Sequence, residues 1–306
     1  MPDLPREPRA DARPPAPRVT AVGDRCWVVR LTLPDLNLDL NLGVVAGRDG
    51  VILVDSGPTE PLAAAVLDSV AALQVGPVTH VVNTHAHWDH VLGNAAVRAR
   101  HPACAVLAHE ETAASLRDHV HTFQAGVGEA GSPYAGSAHL ADLRSAGILP
   151  ADTSFSSVHV VDLGDRVVEL VHPGRGHTAG DVVVHVPDAA VLFAGDLVEQ
   201  AAPPSYGEDC WPLEWATALD VVVGTLPPGA VVVPGHGDVV DRDFVQRQRD
   251  AVGVVSATIR DLAGQGVRPE DALTAGDWPY PVEQLADAVR RGYEHLPRGA
   301  RRLPLA

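Results

Sequence analysis

THAHWDH, residues 84–90, follows directly on the apolar run VTHVVN of residues 78–83. That run is short, rich in β-branched residues and preceded by Gly76 and Pro77, which predicts a buried strand. Three imidazoles and one carboxylate therefore leave the end of a strand close together. Such side chains can converge on one point, and imidazole with carboxylate is a ligand set typical of zinc or iron. The order H-x-H-x-D-H at a strand end predicts a metal site rather than a loop that is rich in histidine by chance.

One cluster cannot complete a metal site, and three later stretches also end in polar turns. GRGHTAGD, residues 174–181, places His177 near glycines, where the backbone can pass close to an ion. The run VLFAG ends in Asp196, and the run VVVPG ends in His236. Each of these residues alone could simply cap a turn. Their order along the chain favours one shared site.

Taken together, these motifs resemble those of the metallo-β-lactamase fold hydrolases, from about residue 41 to about residue 245. The resemblance implies an α/β (α+β) fold, an αββα sandwich of two mixed β-sheets with helices on the outer faces and the site along one edge. It also implies two metal sites that share a bridging aspartate. The implied ligands are His85, His87 and His177 for the first ion, Asp89, His90 and His236 for the second, and Asp196 as the bridge.

The resemblance further implies two divalent ions, with Zn²⁺ favoured and Fe or Mn as alternatives. Such a pair of ions lowers the pKa of a shared water to near neutrality. The bridging hydroxide would attack an ester, thioester, lactone or lactam bond in a small molecule, and Asp89 would also orient this nucleophile. Because no ligand position is missing, we expect an active metallo-hydrolase. The motif order looks more like that of general metallo-hydrolases of the glyoxalase II type than that of drug-destroying β-lactamases.

Other functions remain open. Sulfur dioxygenases of the same fold bind a single iron through two histidines and one aspartate from similar motifs, but the full second ligand set favours hydrolysis. Some β-lactam hydrolases of this fold hold the drug's carboxylate with a lysine, and all 23 basic residues here are arginine. Lactonases often carry a tyrosine soon after the bridging aspartate, where this chain has Glu199, although Tyr206 is within loop reach. A non-catalytic binding module is a third class, and only the proline- and arginine-rich N-terminus and the arginine-rich C-terminal tail favour it.

Composition limits the remaining classes. With 306 residues and 46% apolar residues, one domain with additions is the simplest organisation. The net charge of −16 argues against nucleic acid as a partner, and the absence of an 18-residue apolar run argues against a membrane span. Three scattered cysteines fit a reducing compartment, so we expect a cytoplasmic enzyme. The arginine-only, alanine-rich composition is typical of a GC-rich bacterial genome.

We predict three parts: a lead-in over residues 1–18, a metallo-β-lactamase-like domain over 19–263 and a helical extension with a tail over 264–306. The lead-in is rich in proline and arginine without an apolar segment, so it is predicted to be disordered and not a secretory signal. Within the domain, residues 122–156 are rich in Gly, Ala and Ser without a clear period. Such a stretch is typical of a substrate lid, with Tyr134 and Phe155 as its aromatic contacts.

Smaller signals concern individual side chains. Asp55, in a D-S-G that resembles the family's D-T-G, is predicted either to orient a ligand loop or to cap it. Trp88 is predicted to pack under the metal loop rather than to line its mouth. His109, His119 and His121 are predicted to be surface or hydrogen-bonded histidines, not ligands. The chain also echoes itself, because in each half a strand that ends in an acid precedes a strand that ends in histidine.

Overall fold

Two mixed β-sheets lie at the centre of the fold in the computed structural model, which describes residues 16–297. Within these residues the first sheet has seven strands in chain order: β1 (Arg18–Gly23), β2 (Cys26–Leu33), β3 (Leu38–Gly47), β4 (Gly50–Val54), β5 (Val78–Val82), β6 (Ala105–His109) and β7 (Thr153–Phe155). The second has six, in the order β13 (Val240–Asp241), β12 (Val231–Pro234), β11 (Val191–Gly195), β10 (Val183–Val186), β9 (Val167–Val171) and β8 (Val158–Asp162).

Helices cover the outer face of each sheet. The first sheet carries α1 (Glu60–Ala72), α3 (Asn94–Arg100) and α4 (Glu110–Gly126), and the short helices α2 (Trp88–Val91) and α5 (Leu140–Ser145) lie in its loops. The second sheet carries α6 (Trp215–Thr225), α7 (Arg242–Gly264), α8 (Pro269–Ala275) and α9 (Ala286–His295). Three buried clusters result, one between the sheets and one beneath each helical layer.

Strand β4 shows why its sequence is apolar throughout. Successive side chains of a strand point to opposite faces. Val51 and Leu53 therefore pack beneath the helices, whereas Ile52 and Val54 pack between the two sheets. A strand that is buried on both faces needs apolar residues at every position. Gly47 pairs with Gly50 where β3 turns into β4.

Each sheet contains a parallel pair joined by a helical crossover. Strand β4 pairs with β5 across α1, and β11 pairs with β12 across α6. The two sheets also touch directly at one edge, where Asn41 N donates to Gly235 O at 2.8 Å and Leu40 forms a bridge with His236. The carboxyl ends of the parallel strands meet at this edge, and their loops form the site.

The structure corrects the expectation for residues 122–156. Helix α4 extends to Gly126, past the predicted start of this stretch, because Thr112, Leu116 and Val120 recur every four residues and are buried. At the other end, β7 pairs with β6. Only residues 127–152 are a connecting segment, and α5 lies within it. The stretch looked irregular because small residues carry little periodic signal.

The predicted ends of the chain are also adjusted. Arg18, assigned to the lead-in, begins β1. The rest of the lead-in up to residue 15, and the tail from residue 298, lie outside the described residues. In the predicted extension, Leu285, Ala288 and Val289 are buried in the same cluster as α6 and α7. Among residues 16–297, no helix is long and apolar enough to cross a membrane.

Candidate metal centre

All seven predicted ligands lie on loops at the edge where the parallel strands end. Asp196 directly follows β11, His236 lies two residues beyond β12, and His177 lies on the connection between β9 and β10. The other four lie on the turn between β5 and α2 or within α2, and are His85, His87, Asp89 and His90. Five of the seven are buried, and His87 and His236 are partly buried. The structure thus brings together every residue of the predicted ligand set.

The first group of potential ligands comprises His85, His87, His177 and Asp196, whose ligand atoms all lie within 4.8 Å of one another. His177 Nε2 lies 2.9 Å from His87 Nδ1 and 3.6 Å from Asp196 Oδ2. His85 Nε2 lies 3.8 Å from the same carboxylate oxygen. These atoms face a common point, as the ligands of a tetrahedral cation do.

The second group comprises Asp89, His90 and His236. Asp89 Oδ2 lies 3.4 Å from the Nε2 atoms of both His90 and His236. Asp196 reaches this group too, with Oδ1 3.2 Å from His90 Nε2 and Oδ2 3.2 Å from His236 Nε2. Asp196 therefore lies between the two groups. A Cβ atom at residue 235 would overlap Asp196 Oδ1, so glycine is required where this loop passes the carboxylate.

Unsatisfied buried atoms indicate that this cluster fits a metal. His85 Nε2, His90 Nε2 and Asp196 Oδ1 are buried and make no hydrogen bond. Buried polar atoms are nearly always hydrogen-bonded, so three exceptions that face one space call for a ligand. Imidazole nitrogens and carboxylate oxygens are the donors that zinc and similar cations take.

The pKa shifts of these residues also favour a bound cation. Burial alone would lower the pKa of His90 and of His236, but the neighbouring carboxylates, Asp196 foremost, raise both well above the ordinary value. Conversely, burial would raise the pKa of Asp196, but the imidazoles of His236, His90 and His85 hold it well below the usual range. The carboxylates thus attract positive charge to the centre, and a bound cation would supply it.

Each imidazole is oriented by a partner on its other nitrogen. His90 Nδ1 lies 2.8 Å from Asp55 Oδ2, and the Nδ1 atoms of His177 and His236 lie 3.1 and 3.2 Å from the carbonyl oxygens of Ser205 and Asp39. These bonds leave Nε2 free to face the centre. Asp55 also accepts from Thr84 N and Thr84 Oγ1, both at 2.8 Å, so it orients the ligand loop, as one of its two predicted roles requires.

His87 is oriented the opposite way, by a residue that the sequence did not reveal. Its Nε2 lies 3.2 Å from Asp209 Oδ2, and its Nδ1 faces His177. Burial would raise the pKa of Asp209, but His87 and the nearby His177 and His119 lower it strongly, so this carboxylate stays ionised. Asp209 lies in an irregular loop outside every motif, and no local pattern points to it.

The three histidines that were predicted not to be ligands, His109, His119 and His121, lie in different surroundings. His119 Nε2 lies 3.4 Å from Asp209 Oδ2, which places it at the margin of the site. His109 caps α4 by accepting from Glu111 N and stacks on His172 with ring centroids 3.9 Å apart. His121 is exposed. The prediction holds for His109 and His121, but His119 is closer to the centre than expected, because α4 passes beside the ligand loop.

A cavity of about 940 Å³ opens beside the cluster. Trp88 and Tyr134 line it, with ring centroids 5.2 Å apart, and Trp88 also stacks on Phe123 at 4.5 Å. Trp88 therefore both packs and lines the mouth. Phe155 is not among the lining residues, because on β7 its ring stacks on His159 at 5.7 Å. Of the two predicted lid aromatics, only Tyr134 reaches the cavity.

Comparisons with known proteins agree with this geometry. A family model described as the metallo-beta-lactamase superfamily matches residues 39–247. A metallo-β-lactamase type 2 from Bacillus cereus is 27% identical over 203 residues, which are 66% of this chain and 68% of that protein. A metallo-β-lactamase type 2 from Bacteroides fragilis is 26% identical over 111 residues, 36% of this chain and 45% of that protein.

Solved structures show the same fold. A metallo-β-lactamase from Pontibacter korlensis aligns with a TM-score of 0.62 and 23% identity, covering 78% of this chain and 99% of that chain. A metallo-β-lactamase from Pseudomonas aeruginosa in its mono-zinc form aligns with a TM-score of 0.62 and 21% identity, covering 78% and 96%.

The family match covers more than half of the chain and includes every residue of the buried histidine and aspartate cluster. The αββα sandwich predicted from the motifs is therefore confirmed. The chain belongs to the metallo-β-lactamase superfamily, and it is a metallo-hydrolase of that superfamily.

Proposed function

We propose that this enzyme uses a dinuclear centre, with zinc as the metal, to hydrolyse an ester, thioester, lactone or lactam bond in a small molecule. The observation that carries this proposal is the shared position of Asp196, which contacts histidines of both ligand groups. A carboxylate between two sets of imidazoles supports two ions rather than one. The unsatisfied buried atoms at the same place support metal rather than solvent as the missing partner.

In this proposal His85, His87 and His177 would hold one ion, Asp89, His90 and His236 would hold the other, and Asp196 would be shared between them. When bound, two such ions lower the pKa of water enough to supply a nucleophile at neutral pH and polarise the carbonyl that it attacks.

The chain's own residues supply position. Asp55, Asp209 and the carbonyl oxygens of Ser205 and Asp39 fix the ring orientations before any substrate arrives. Asp89 lines the cavity, where its carboxylate can accept a hydrogen bond from the attacking water and thereby orient it. Trp88 and Tyr134 form an aromatic wall for the acyl part of a substrate.

Two observations bear on the substrate. A cavity of about 940 Å³ matches the size of sites that take drug-sized small molecules. The relatives named above are β-lactamases, which supports including a lactam among the candidate substrates. The prediction of a branch closer to glyoxalase II rests on the motif order alone.

Metal analysis of the purified protein, combined with a substrate panel, tests this proposal. We expect about two zinc ions per chain and chelator-sensitive hydrolysis of at least one chromogenic ester, thioester, lactone or cephalosporin. One iron per chain with oxygen consumption would contradict it and indicate a sulfur dioxygenase. Hydrolysis that survives complete removal of metal would also contradict it.

A further inference from the structure

The charge of the cavity wall narrows the substrate class. Apart from the ligands Asp89 and Asp196, four carboxylates line the cavity: Asp39, Glu199, Glu283 and Asp287. Among the described residues, no arginine lines it, and the chain contains no lysine. Around the metal centre, the protein therefore offers a substrate several negative charges and no cationic side chain other than histidine.

Arg30, which contacts the lining residue Asp39, is not free to bind a substrate anion. Arg30 lies beside Asp39, but its Nη1 lies 2.8 Å from Asp238 Oδ1 and 3.5 Å from Asp39 Oδ2. Its Nε donates to Asn41 Oδ1 at 2.9 Å, and its Nη2 donates to Gly237 O. The guanidinium is thus fully engaged in holding the loop that carries His236. Recruiting it for a substrate anion would break these contacts.

Glu199 is the most deeply buried of the four carboxylates that line the cavity. It is 6% exposed, and it follows the bridging Asp196 by three positions. Its loop is clamped from α7 by Gln248, whose Oε1 accepts from Glu199 N at 3.1 Å while its Nε2 donates to Leu197 O at 2.9 Å. One carboxylate oxygen, Oε1, accepts from Ser205 N at 3.1 Å, and the side chain has no other hydrogen-bond partner within residues 16–297. A buried carboxyl group with one unpartnered oxygen therefore lines the cavity.

We propose that Glu199 is a specificity-determining residue and that the cavity selects substrates that carry no negative charge beside the scissile bond, that is, neutral or ammonium-bearing esters and lactones. This inference rests on the proposed hydrolase function. A substrate carboxylate would have to approach the carboxylates of the wall without a cationic side chain to hold it. Once Glu199 is ionised, it adds its own charge to this wall, and like charges brought together in a binding site are costly. A neutral group meets no such penalty, and an ammonium group can donate to the free oxygen.

The proposal separates this enzyme from substrate classes that are anionic near the reacting carbonyl. A drug carboxylate next to a lactam, or the carboxylates of a glutathione thioester, would meet carboxylates and no arginine in this wall, so only the metal ions could attract them. Selectivity would come from rejection of the wrong charge rather than from a dedicated recognition pocket.

Binding of three matched thiols to the zinc-loaded protein tests the proposal independently of turnover. The probes are 3-mercapto-1-propanol, 3-aminopropane-1-thiol and 3-mercaptopropionate, which have the same chain length and carry a neutral, a cationic and an anionic terminal group. Their affinities are compared per thiolate, because the terminal group also shifts the thiol pKa. Titration calorimetry is done at about pH 8.5 so that Glu199 is mostly ionised, because burial and then Asp196 raise its pKa to about 8. We expect the anionic thiol to bind about tenfold more weakly than the neutral one. The cationic thiol should bind at least as tightly as the neutral one.

Two variants assign the effect to Glu199. Glu199→Gln keeps an oxygen for Ser205 N but removes the charge, so it should tighten binding of the anionic thiol about fivefold with little change for the neutral one. Glu199→Arg should reverse the preference. Glu270→Gln, on the exposed start of α8, is the matched control and should change nothing. Thermal melting and zinc content establish that each variant is folded and loaded.

Equal affinity for the neutral and anionic thiols, or no change in Glu199→Gln, would overturn the proposal even if the enzyme hydrolyses esters. Failure to bind zinc would instead overturn the hydrolase function on which the proposal rests. The two failures are therefore distinguishable.

Discussion

The two halves of the sandwich repeat one arrangement and use it differently. In the first half Asp55 directly follows β4, α1 crosses over and the parallel strand β5 leads to His85. In the second half Asp196 directly follows β11, α6 crosses over and the parallel strand β12 leads to His236. The echo predicted from the sequence is therefore visible in the strand pairing, and the site lies across both halves.

The two acids nevertheless point to different partners. Asp55 itself has a positive φ of 62°, and its carboxylate is taken up by Thr84 and by the outer nitrogen of His90. In the second half the positive φ falls one residue earlier, at Gly195, with 52°. Asp196 then lies among the inner nitrogens of the histidines. The left-handed residue thus shifts by one position between the halves. Asp196 faces the metal centre, whereas Asp55 contacts the outer nitrogen of His90 and orients that ligand.

Removing the inner acid should have the largest effect. Asp196→Ala takes away a group shared by both ligand sets, so we expect hydrolysis to fall by more than about 100-fold, beyond the usual cost of losing an outer partner. Zinc content should fall as well, while circular dichroism stays unchanged. Asp277→Ala, at an exposed position on the second-sheet side, is the control. Full activity in Asp196→Ala would mean that the cluster is not the catalytic centre.

Removing the outer acid should have a smaller effect, which tests the difference between the halves directly. Asp55→Asn keeps the shape but cannot accept from all three donors that now share the carboxylate. We expect zinc affinity, measured by chelator competition, to fall about 10- to 100-fold with activity restored at high zinc concentration. If added zinc did not restore activity, Asp55 would have a role beyond orienting His90 and the loop at Thr84.

Asp209→Asn should have a smaller effect again, because this carboxylate is partly exposed and has one ligand, His87, as its main partner. We expect about a tenfold loss in the affinity of the ion that His85, His87 and His177 would hold, at the lower end of the range for outer partners. Asp220→Asn is a matched control, because Asp220 bonds only Arg249 at the surface. An equal loss in both variants would assign the effect to general destabilisation.

The aromatic pair of the predicted lid gives the smallest effect. Tyr134→Ala removes an edge contact to Trp88 in the cavity wall, so KM should rise roughly two- to tenfold, the worth of one aromatic contact. Phe155→Ala is its counterpart outside the cavity. It should leave KM unchanged and lower the free energy of unfolding by about 1–2 kcal/mol, less than for a fully buried Phe. If KM changed in Phe155→Ala but not in Tyr134→Ala, Phe155 would contact the substrate, as the prediction of a lid over residues 122–156 requires.

Sequence reasoning succeeded where the signal is local. Residues 84–90, Asp196 and His236 each follow an apolar run, so predicting the strands also located these ligands. His177 lies instead in a glycine-rich turn, which is also a local signal. It failed where the signal depends on packing. The end of α4 was missed because the helix continues through small and polar residues, and Phe155 was assigned to a lid although it belongs to a strand.

The sequence by itself determined the sandwich, the crossover in each half and the set of seven converging side chains, because alternating burial and strand-end motifs are written in consecutive residues. Only the tertiary structure decided which nitrogen each histidine turns inward, since those bonds join residues far apart, such as His87 and Asp209. It also decided the charge of the cavity. Glu199 and Glu283 lie on separate loops, and only folding brings both to one wall from which every described arginine is absent.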